Sequence, residues 1–319
     1  MEAETVTGRF APTPSGFLHL GNIFCSLLAW LYAKASGGRI ILRIEDLDAR
    51  RCGRDKAEAL VRELEWLGLT WDEGAYKSSN AEDYFQSMRF DIYADFLKQL
   101  KEKNLIYPCY CSRNELHAAE APHLSDGRVV YPGTCRSLTD TERQLKEAKR
   151  PPAWRLKTED RYIAFTDGHY GPMRYNLARE SGDFIVRRSD GIYAYQLAVV
   201  VDDALMGVNQ VVRGADLLAS TAMQLYLYEL LRLKPPRFFH IPLLTAPDGR
   251  RLAKRDGDLE VALLRAAYKS PEPLIGILAY LAGQLPKPEP LSVLELLPLF
   301  DPDKIPRENI VVPREILKI

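Results

Sequence analysis

Residues 9 to 22 read Arg-Phe-Ala-Pro-Thr-Pro-Ser-Gly-Phe-Leu-His-Leu-Gly-Asn, and they constrain the fold more than any other stretch of the chain. A short apolar-leaning segment, expected as a strand over 6–11, runs into two prolines and a glycine. His19-Leu-Gly-Asn22 then opens a strongly periodic helix. Pro12 and Pro14 stiffen a tight turn, and Gly16 and Gly21 lack side chains that would block a ligand. Backbone N–H groups at the start of the helix favour a phosphate there, and His19 adds one more donor beside it. A plain strand-turn-helix connection with a capping histidine would look the same on its own. A second basic element far downstream, Arg251-Leu252-Ala253-Lys254-Arg255, shifts the reading towards a nucleotide site.

Ile23, Leu27, Leu28 and Leu31 recur at helical spacing, and Gly37-Gly38 closes that helix. A β-rich strand follows over 39–44 and an amphipathic helix over 55–67. Strand, helix, strand, helix implies a parallel sheet with right-handed crossovers. From about Cys109 to Ser189, cysteines, prolines and glycines break this rhythm. The alternation resumes with 193–201, a helix near 217–231 and a strand near 237–244. The expected fold is α/β: a doubly wound parallel (Rossmann-type) domain built from two halves, 1–108 and 190–246. An insertion over 109–189 separates the halves, and 247–319 carries the basic loop and a plausible helix over 272–285.

A length of 319 residues suits two domains, or one with a large insertion. Lys+Arg and Asp+Glu both total 43, so no global positive field announces a nucleic-acid partner. Contact with RNA would have to come from local patches, such as Arg143, Lys146, Lys149 and Arg150 or the basic loop. The apolar run at 197–201 is far too short to span a bilayer. The first four residues have neither the basic start nor the apolar stretch of a signal peptide. The expected compartment is the cytoplasm, where the five cysteines stay reduced. Of these, Cys25 falls in the first helix and reads as core. Cys109-Tyr-Cys111 and Cys135, three thiols in a loop-rich segment, point to zinc.

Together the two basic elements resemble the paired signatures of the class I aminoacyl-tRNA synthetases, His-Ile-Gly-His and Lys-Met-Ser-Lys-Ser. The flanks narrow the resemblance to the glutamyl branch: Arg9-Phe-Ala-Pro-Thr-Pro-Ser-Gly, Arg43-Ile-Glu-Asp-Leu-Asp48, and Val200-Val-Asp-Asp-Ala-Leu-Met-Gly207. Five separated blocks stand in the expected order between about residue 7 and about 260. The chemistry implied is adenylation, in which a glutamate carboxylate attacks the α-phosphate of ATP and pyrophosphate leaves. Such a reaction depends on positioning and on stabilising charge at the phosphates. On this resemblance His19 and Lys254 are catalytic, and ATP, accompanied by Mg²⁺, is held by Thr13, Gly16, His19, Gly21, Asn22, Arg251, Leu252 and Lys254. The chain departs from the pattern at Asn22, which replaces a second histidine, at Arg251, which keeps the charge of a lysine, and at Ala253, which removes a serine hydroxyl.

A glutamate carries two carboxylates and an ammonium, so its pocket needs fixed positive donors and an acidic partner. Arginine grips a carboxylate in a two-pronged geometry that lysine lacks. Arg9 and Arg213, each at the end of a strand, suit this in an open α/β sheet whose ligands sit at the strand carboxyl ends. Glu45 suits the ammonium. The resemblance carries these over together with Phe10, Ala11, Pro12, Thr13 and Tyr195. An unpaired buried guanidinium opposite a neutral amide favours glutamate over glutamine.

The cysteine spacing is similar to that of a shortened branch of the glutamyl family. That similarity implies Tyr131, four residues before Cys135, as the fourth ligand beside Cys109, Cys111 and Cys135. His117 and His123 lie between the two halves of the site and are the more ordinary alternative. Only about 60 residues follow Lys254-Arg255, and the shortened branch lacks the anticodon-binding part. It places glutamate on the queuosine base of tRNA(Asp). The expected partners are thus ATP, L-glutamate and queuosine-containing tRNA(Asp), with a monomer acting as a ligase. Two alternatives stand beside this: the catalytic part of a glutamyl-tRNA synthetase charging the 3′ end of tRNA(Glu), and a non-catalytic synthetase-like binding module.

Overall fold

The computed structural model of the chain describes residues 4–16, 18–112, 115, 130–249 and 261–317. The first strand, β1 (Thr7–Phe10), is buried along its whole length and pairs in parallel with β2 (Arg39–Leu42), Thr7 opposite Arg39 and Phe10 opposite Leu42. β2 pairs in parallel with the short β3 (Glu73–Gly74). Between β1 and β2 runs α1 (Leu20–Ala35), whose Leu20, Ile23, Leu27, Leu28 and Leu31 are buried as their helical spacing predicts. α2 (Arg54–Trp66) follows β2, and α3 (Phe90–Glu102) follows β3.

On the other side of β1 lies β9 (Gln210–Gly214), paired in parallel with β10 (Arg237–Ile241). The Asn209 N–H donates to the Thr7 carbonyl at 3.1 Å, and the Thr7 N–H donates back to Asn209 Oδ1 at 2.7 Å. Two segments some 200 residues apart in sequence are thereby stitched together. The spatial order is β10–β9–β1–β2–β3, and β1 and β9 end side by side. β10 stops at Ile241 because Pro242 has no N–H to offer a ladder.

The stretch 193–201, whose place in the alternation implied a strand, is a helix instead: α6 (Tyr195–Leu205). Leu197 to Val201 are all buried, so the apolar run belongs to a helix enclosed on every side. A short run of that kind has no periodicity to distinguish it from a strand. α6 packs on α3 and on α7 (Leu218–Leu231).

Between the halves the chain is antiparallel. β4 (Ile106–Cys109), β5 (Ala153–Leu156) and β8 (Phe184–Arg187) form one sheet; β6 (Tyr162–Asp167) and β7 (Gly171–Asn176) form a hairpin. α4 (Asp140–Glu147) buries none of its residues, and α5 (Leu177–Glu180) is a single turn. After β10 come β11 (Leu244–Thr245), α8 (Val261–Ala267), α9 (Glu272–Leu281), α10 (Val293–Leu296) and β12 (Ile310–Val311), the last pairing in parallel with β11. The helix expected over 272–285 ends four residues early. Gly283 has φ +73°, the left-handed conformation that closes a helix, and the Gln284 N–H reaches back to Ala279 O at 2.8 Å. Leu274, Ile275 and Leu278 join the same buried core as β1, α1 and α6. Among the described residues no helix is long and apolar enough to cross a membrane.

Candidate functional site

Where β1 and β9 end, the structure opens a cleft of about 540 Å³. The chain leaves β1 through Ala11 and Pro12, turns with the Ser15 N–H on Thr13 O at 2.8 Å, and enters α1. The Asn22 side chain caps that entry, its Oδ1 accepting the His19 N–H at 3.3 Å. The Glu45 N–H donates to Pro12 O at 3.0 Å, fastening the turn to the segment after β2. Arg9, Phe10, Ala11, Pro12, Thr13, Gly16, His19, Gly21, Asn22, Glu45, Tyr195 and Arg213 all line this one cleft. Residues expected to hold an amino acid and residues expected to hold a nucleotide are thus brought together from four separate stretches of sequence. Cys25, read as core, packs against the core and also lines the cleft. Arg251, Leu252, Lys254 and the rest of the basic loop lie outside the described residues, as do His117 and His123.

Beneath the cleft is a buried ionic network whose members the sequence displays without revealing their pairing. The Arg43 guanidinium, fully buried, donates to Asp203 Oδ1 at 2.6 Å and Glu45 Oε1 at 3.2 Å, and its Nε lies 3.7 Å from Asp202 Oδ2. Asp202 also accepts from Arg89 Nε at 2.7 Å, Gln86 Nε2 at 2.7 Å and the Tyr93 hydroxyl at 2.8 Å. Arg9 Nε stands 3.3 Å from Asp203 Oδ1. Three guanidiniums and three carboxylates balance, the condition under which charge can be buried at all. Burial alone would lower the Arg43 pKa, but Asp203, Asp202 and Glu45 together hold it well above the ordinary value. Burial also raises the Glu45 carboxyl, and Arg43 and Arg9 only partly offset it.

Arg213 differs. It is buried, with 4 % of its surface exposed, yet among the described residues no carboxylate lies within ion-pair distance. Its nearest partners among the described residues are neutral: Nε reaches His240 Nε2 at 3.1 Å, Nη2 reaches Thr221 Oγ1 at 2.6 Å, and the Tyr195 hydroxyl lies beside the guanidinium. Burial draws the guanidinium below its ordinary range, opposed chiefly by the Tyr195 oxygen. Among the described residues the cleft therefore offers one arginine paired to an acid, Arg9, and one without an ion pair, Arg213. His240, Thr221, Asp202 and Asp203 carry this arrangement, and none of them was assigned a role from the sequence. A lone arginine within Gln210-Val-Val-Arg-Gly214 signals that a partner must exist, but only strand register names it.

A second cluster forms at the end of β4. The Sγ atoms of Cys109, Cys111 and Cys135 lie within 4.8 Å of one another. The Tyr131 hydroxyl is 3.4 Å from Cys109 Sγ and 3.8 Å from Cys111 Sγ, and accepts the Cys135 N–H at 2.9 Å. Arg155 donates to Cys109 Sγ at 3.2 Å, and its guanidinium lies 3.7 Å from the centre of the Tyr131 ring. Three sulfurs and a phenol oxygen facing a common point, with a guanidinium behind them, suit a soft divalent ion bound by anionic ligands. Tyr131 can come this close because its neighbour is Gly182: a Cβ there would stand 2.4 Å from Tyr131 O. Of the basic patch on and after α4, Lys146 and Lys149 are exposed and Arg143 and Arg150 half-buried, with Arg143 paired to Asp140 at 3.3 Å.

Residues 5–289 match the family model described as tRNA synthetases class I (E and Q), catalytic domain. The chain is 52% identical over 313 residues to the glutamyl-Q tRNA(Asp) synthetase of Symbiobacterium thermophilum, covering 97% of each chain. It is 46% identical over 314 residues to the protein of the same name from Nitratidesulfovibrio vulgaris, covering 98% of this chain and 97% of that one. Among solved structures it is similar to a glutamate tRNA ligase from Elizabethkingia meningosepticum in complex with its amino acid. That likeness has a TM-score of 0.83 and 31% identity, over 98% of this chain and 68% of that one.

Proposed function

From the premise that this chain belongs to the class I tRNA synthetases of the glutamate and glutamine family, we propose that it is a ligase that activates L-glutamate with ATP and transfers it to the queuosine base at the wobble position of tRNA(Asp). The observation that carries the activation half is the single cleft in which Arg9, Arg213 and Glu45 face the turn and helix start of His19. The acceptor follows the relatives: two proteins named glutamyl-Q tRNA(Asp) synthetase are 52% and 46% identical to the chain over almost all of their length.

In the proposed reaction, Arg213 receives the side-chain carboxylate of glutamate, Glu45 the ammonium, and Arg9 orients the α-carboxylate. Phe10, Ala11, Pro12, Thr13 and Tyr195 form the walls. An α-carboxylate oxygen attacks the α-phosphorus of ATP, the bond to the β-phosphate bridging oxygen breaks, and pyrophosphate leaves. His19, Gly21, Asn22 and the first amides of α1 take the phosphates on one side, with Thr13 and Gly16 at the turn, and Arg251, Leu252 and Lys254 on the other. Mg²⁺ accompanies the nucleotide and offsets its charge. A hydroxyl of the queuosine diol then attacks the glutamyl carbonyl, an ester forms and AMP leaves.

Cys109, Cys111, Cys135 and Tyr131 are assigned to one structural Zn²⁺, and the fit rests on four donor atoms converging with Arg155 as counter-charge. Bound there, the ion would stabilise the fold of 109–189 rather than take part in the reaction. We place the protein in the cytoplasm, as a monomer.

The deciding assay supplies radiolabelled glutamate and ATP with three acceptors: tRNA(Asp) containing queuosine, tRNA(Asp) lacking it, and tRNA(Glu). Label on the first alone is expected. Label on tRNA(Glu) alone would make the chain the catalytic part of a glutamyl-tRNA synthetase. Absence of both transfer and glutamate-dependent pyrophosphate exchange would leave a binding module.

A further inference from the structure

Arg213 on β9 and His240 on β10 are register partners in a parallel ladder, so their side chains lie next to each other on one face. The guanidinium Nε always carries hydrogen, so His240 Nε2, 3.1 Å away, must be the unprotonated nitrogen. The ring proton is then on Nδ1, and Nδ1 stands 2.6 Å from Asp167 Oδ2. Asp167 is itself fixed, since Oδ1 accepts the N–H groups of His169 at 3.0 Å and Tyr170 at 2.9 Å, and Oδ2 also accepts the His240 N–H at 3.1 Å. Asp167 and His240 are both almost wholly buried. A chain of hydrogen bonds therefore runs from Asp167 at the end of β6, through His240, to the Nε edge of Arg213.

The geometry points to His240 and Asp167 as positioning residues that aim Arg213 and set the preference for glutamate over glutamine; this rests on the activity proposed above. With Nε held by His240 and Nη2 by Thr221, the guanidinium plane is fixed at the end of β9, where Arg213 lines the cleft. A doubly protonated His240 would turn a donor against Arg213 and release it. Asp167 prevents the wrong tautomer by accepting at Nδ1, so the cation in the cleft stays uncompensated until a carboxylate arrives. A glutamine side chain brings no charge to pair with it.

Two substitutions at His240 separate positioning from packing, because they keep opposite halves of the chain. Asparagine has its amide near the Nδ1 position and can keep Asp167 while losing Arg213; glutamine reaches the Nε2 position and can keep Arg213 while losing Asp167. In glutamate-dependent pyrophosphate exchange, H240N is expected to raise KM for glutamate about tenfold or more and to narrow the glutamate-to-glutamine ratio by a similar factor. KM for ATP should stay within about twofold and kcat should hold, since uniform binding of glutamate is what is lost. H240Q is expected to recover most of the glutamate KM, and D167N to behave like H240N. Equal KM and ratio in wild type and H240N would overturn the inference. So would a parallel loss of kcat and ATP affinity in both His240 variants, which marks a packing role. A wild-type protein that activates no glutamate would overturn the functional reading and this inference together, whereas active wild type with indifferent variants overturns the pairing alone.

Discussion

At the scale of single residues, Glu45 links burial to a measurable pH response. Its carboxyl lies above the ordinary value of 4.5, because burial outweighs the pull of Arg43 and Arg9. The folded protein therefore keeps a proton on Glu45 at a pH where the unfolded chain has released it. This group's contribution to stability falls as pH rises from 4.5 through the raised folded value. Its effect on substrate has the opposite sense, since only the carboxylate attracts an ammonium. KM for glutamate should fall as pH rises through the window above 4.5, where the carboxylates of the substrate are already ionised. Glu45→Gln should raise KM and flatten that dependence in a pH series of pyrophosphate exchange. Lys254 affords the complementary test, argued from sequence because it lies outside the described residues. Its ammonium is expected to meet the phosphates most strongly as charge moves towards pyrophosphate. Lys254→Ala should lower kcat about a hundredfold or more with little change in glutamate KM, and Arg255→Ala should change neither. Most residues at the cleft surface were legible because each is a chemical type placed in a motif, whereas Arg213 and Tyr195 lie outside the quoted blocks. His240 and Asp167 were not legible, because their meaning comes from which strands lie side by side.

At the scale of elements, the same contrast recurs. α1, α2, β1 and β2 could be read from period and punctuation, as the buried stripe of α1 bears out. The helix at Tyr195–Leu205 could not, because Leu197 to Val201 are buried on all sides and a uniformly apolar run has no face. The cysteine cluster was legible as a set of donors, and Tyr131, which the resemblance implied as the fourth, stands 3.4 Å from Cys109 Sγ and 3.8 Å from Cys111 Sγ. If that donor set holds zinc, one ion per chain should be found in protein purified without chelators. Cys111→Ser should lower the metal content and loosen the segment from β4 to β8, seen as faster hydrogen exchange there, because structural metal binding is folding free energy. Tyr131→Phe should weaken retention of the ion against a chelator. If Tyr131→Phe keeps zinc while His117→Ala or His123→Ala loses it, the fourth ligand is a histidine and the cluster of three thiols stands.

At the scale of the whole molecule, the two halves flanking 109–189 must find one another across a long stretch of chain. Apolar packing brings β9 beside β1 but does not by itself fix their relation. The buried ion pairs add that constraint: Arg43 after β2 meets Asp203 of α6, and Arg89 at the start of α3 meets Asp202. Two sequence blocks that look like separate signatures are thus the two sides of one network, and that network also supports Arg9 and Glu45 at the floor of the cleft. Removing one member strands the others in a medium that solvates charge poorly. Arg43→Met should therefore destabilise the fold by about 3–5 kcal/mol, the cost of breaking rather than replacing a buried pair. Lys234→Ala is the control, since its pair with Glu4 is mostly exposed and solvent screens such a pair almost completely. Urea unfolding of both variants, with the slope compared to detect loss of two-state behaviour, measures the difference. A loss in Arg43→Met no larger than in Lys234→Ala would mean that apolar packing and the Asn209–Thr7 hydrogen bonds suffice to join the halves. A large loss accompanied by a second, earlier transition would mean that the halves come apart before either unfolds.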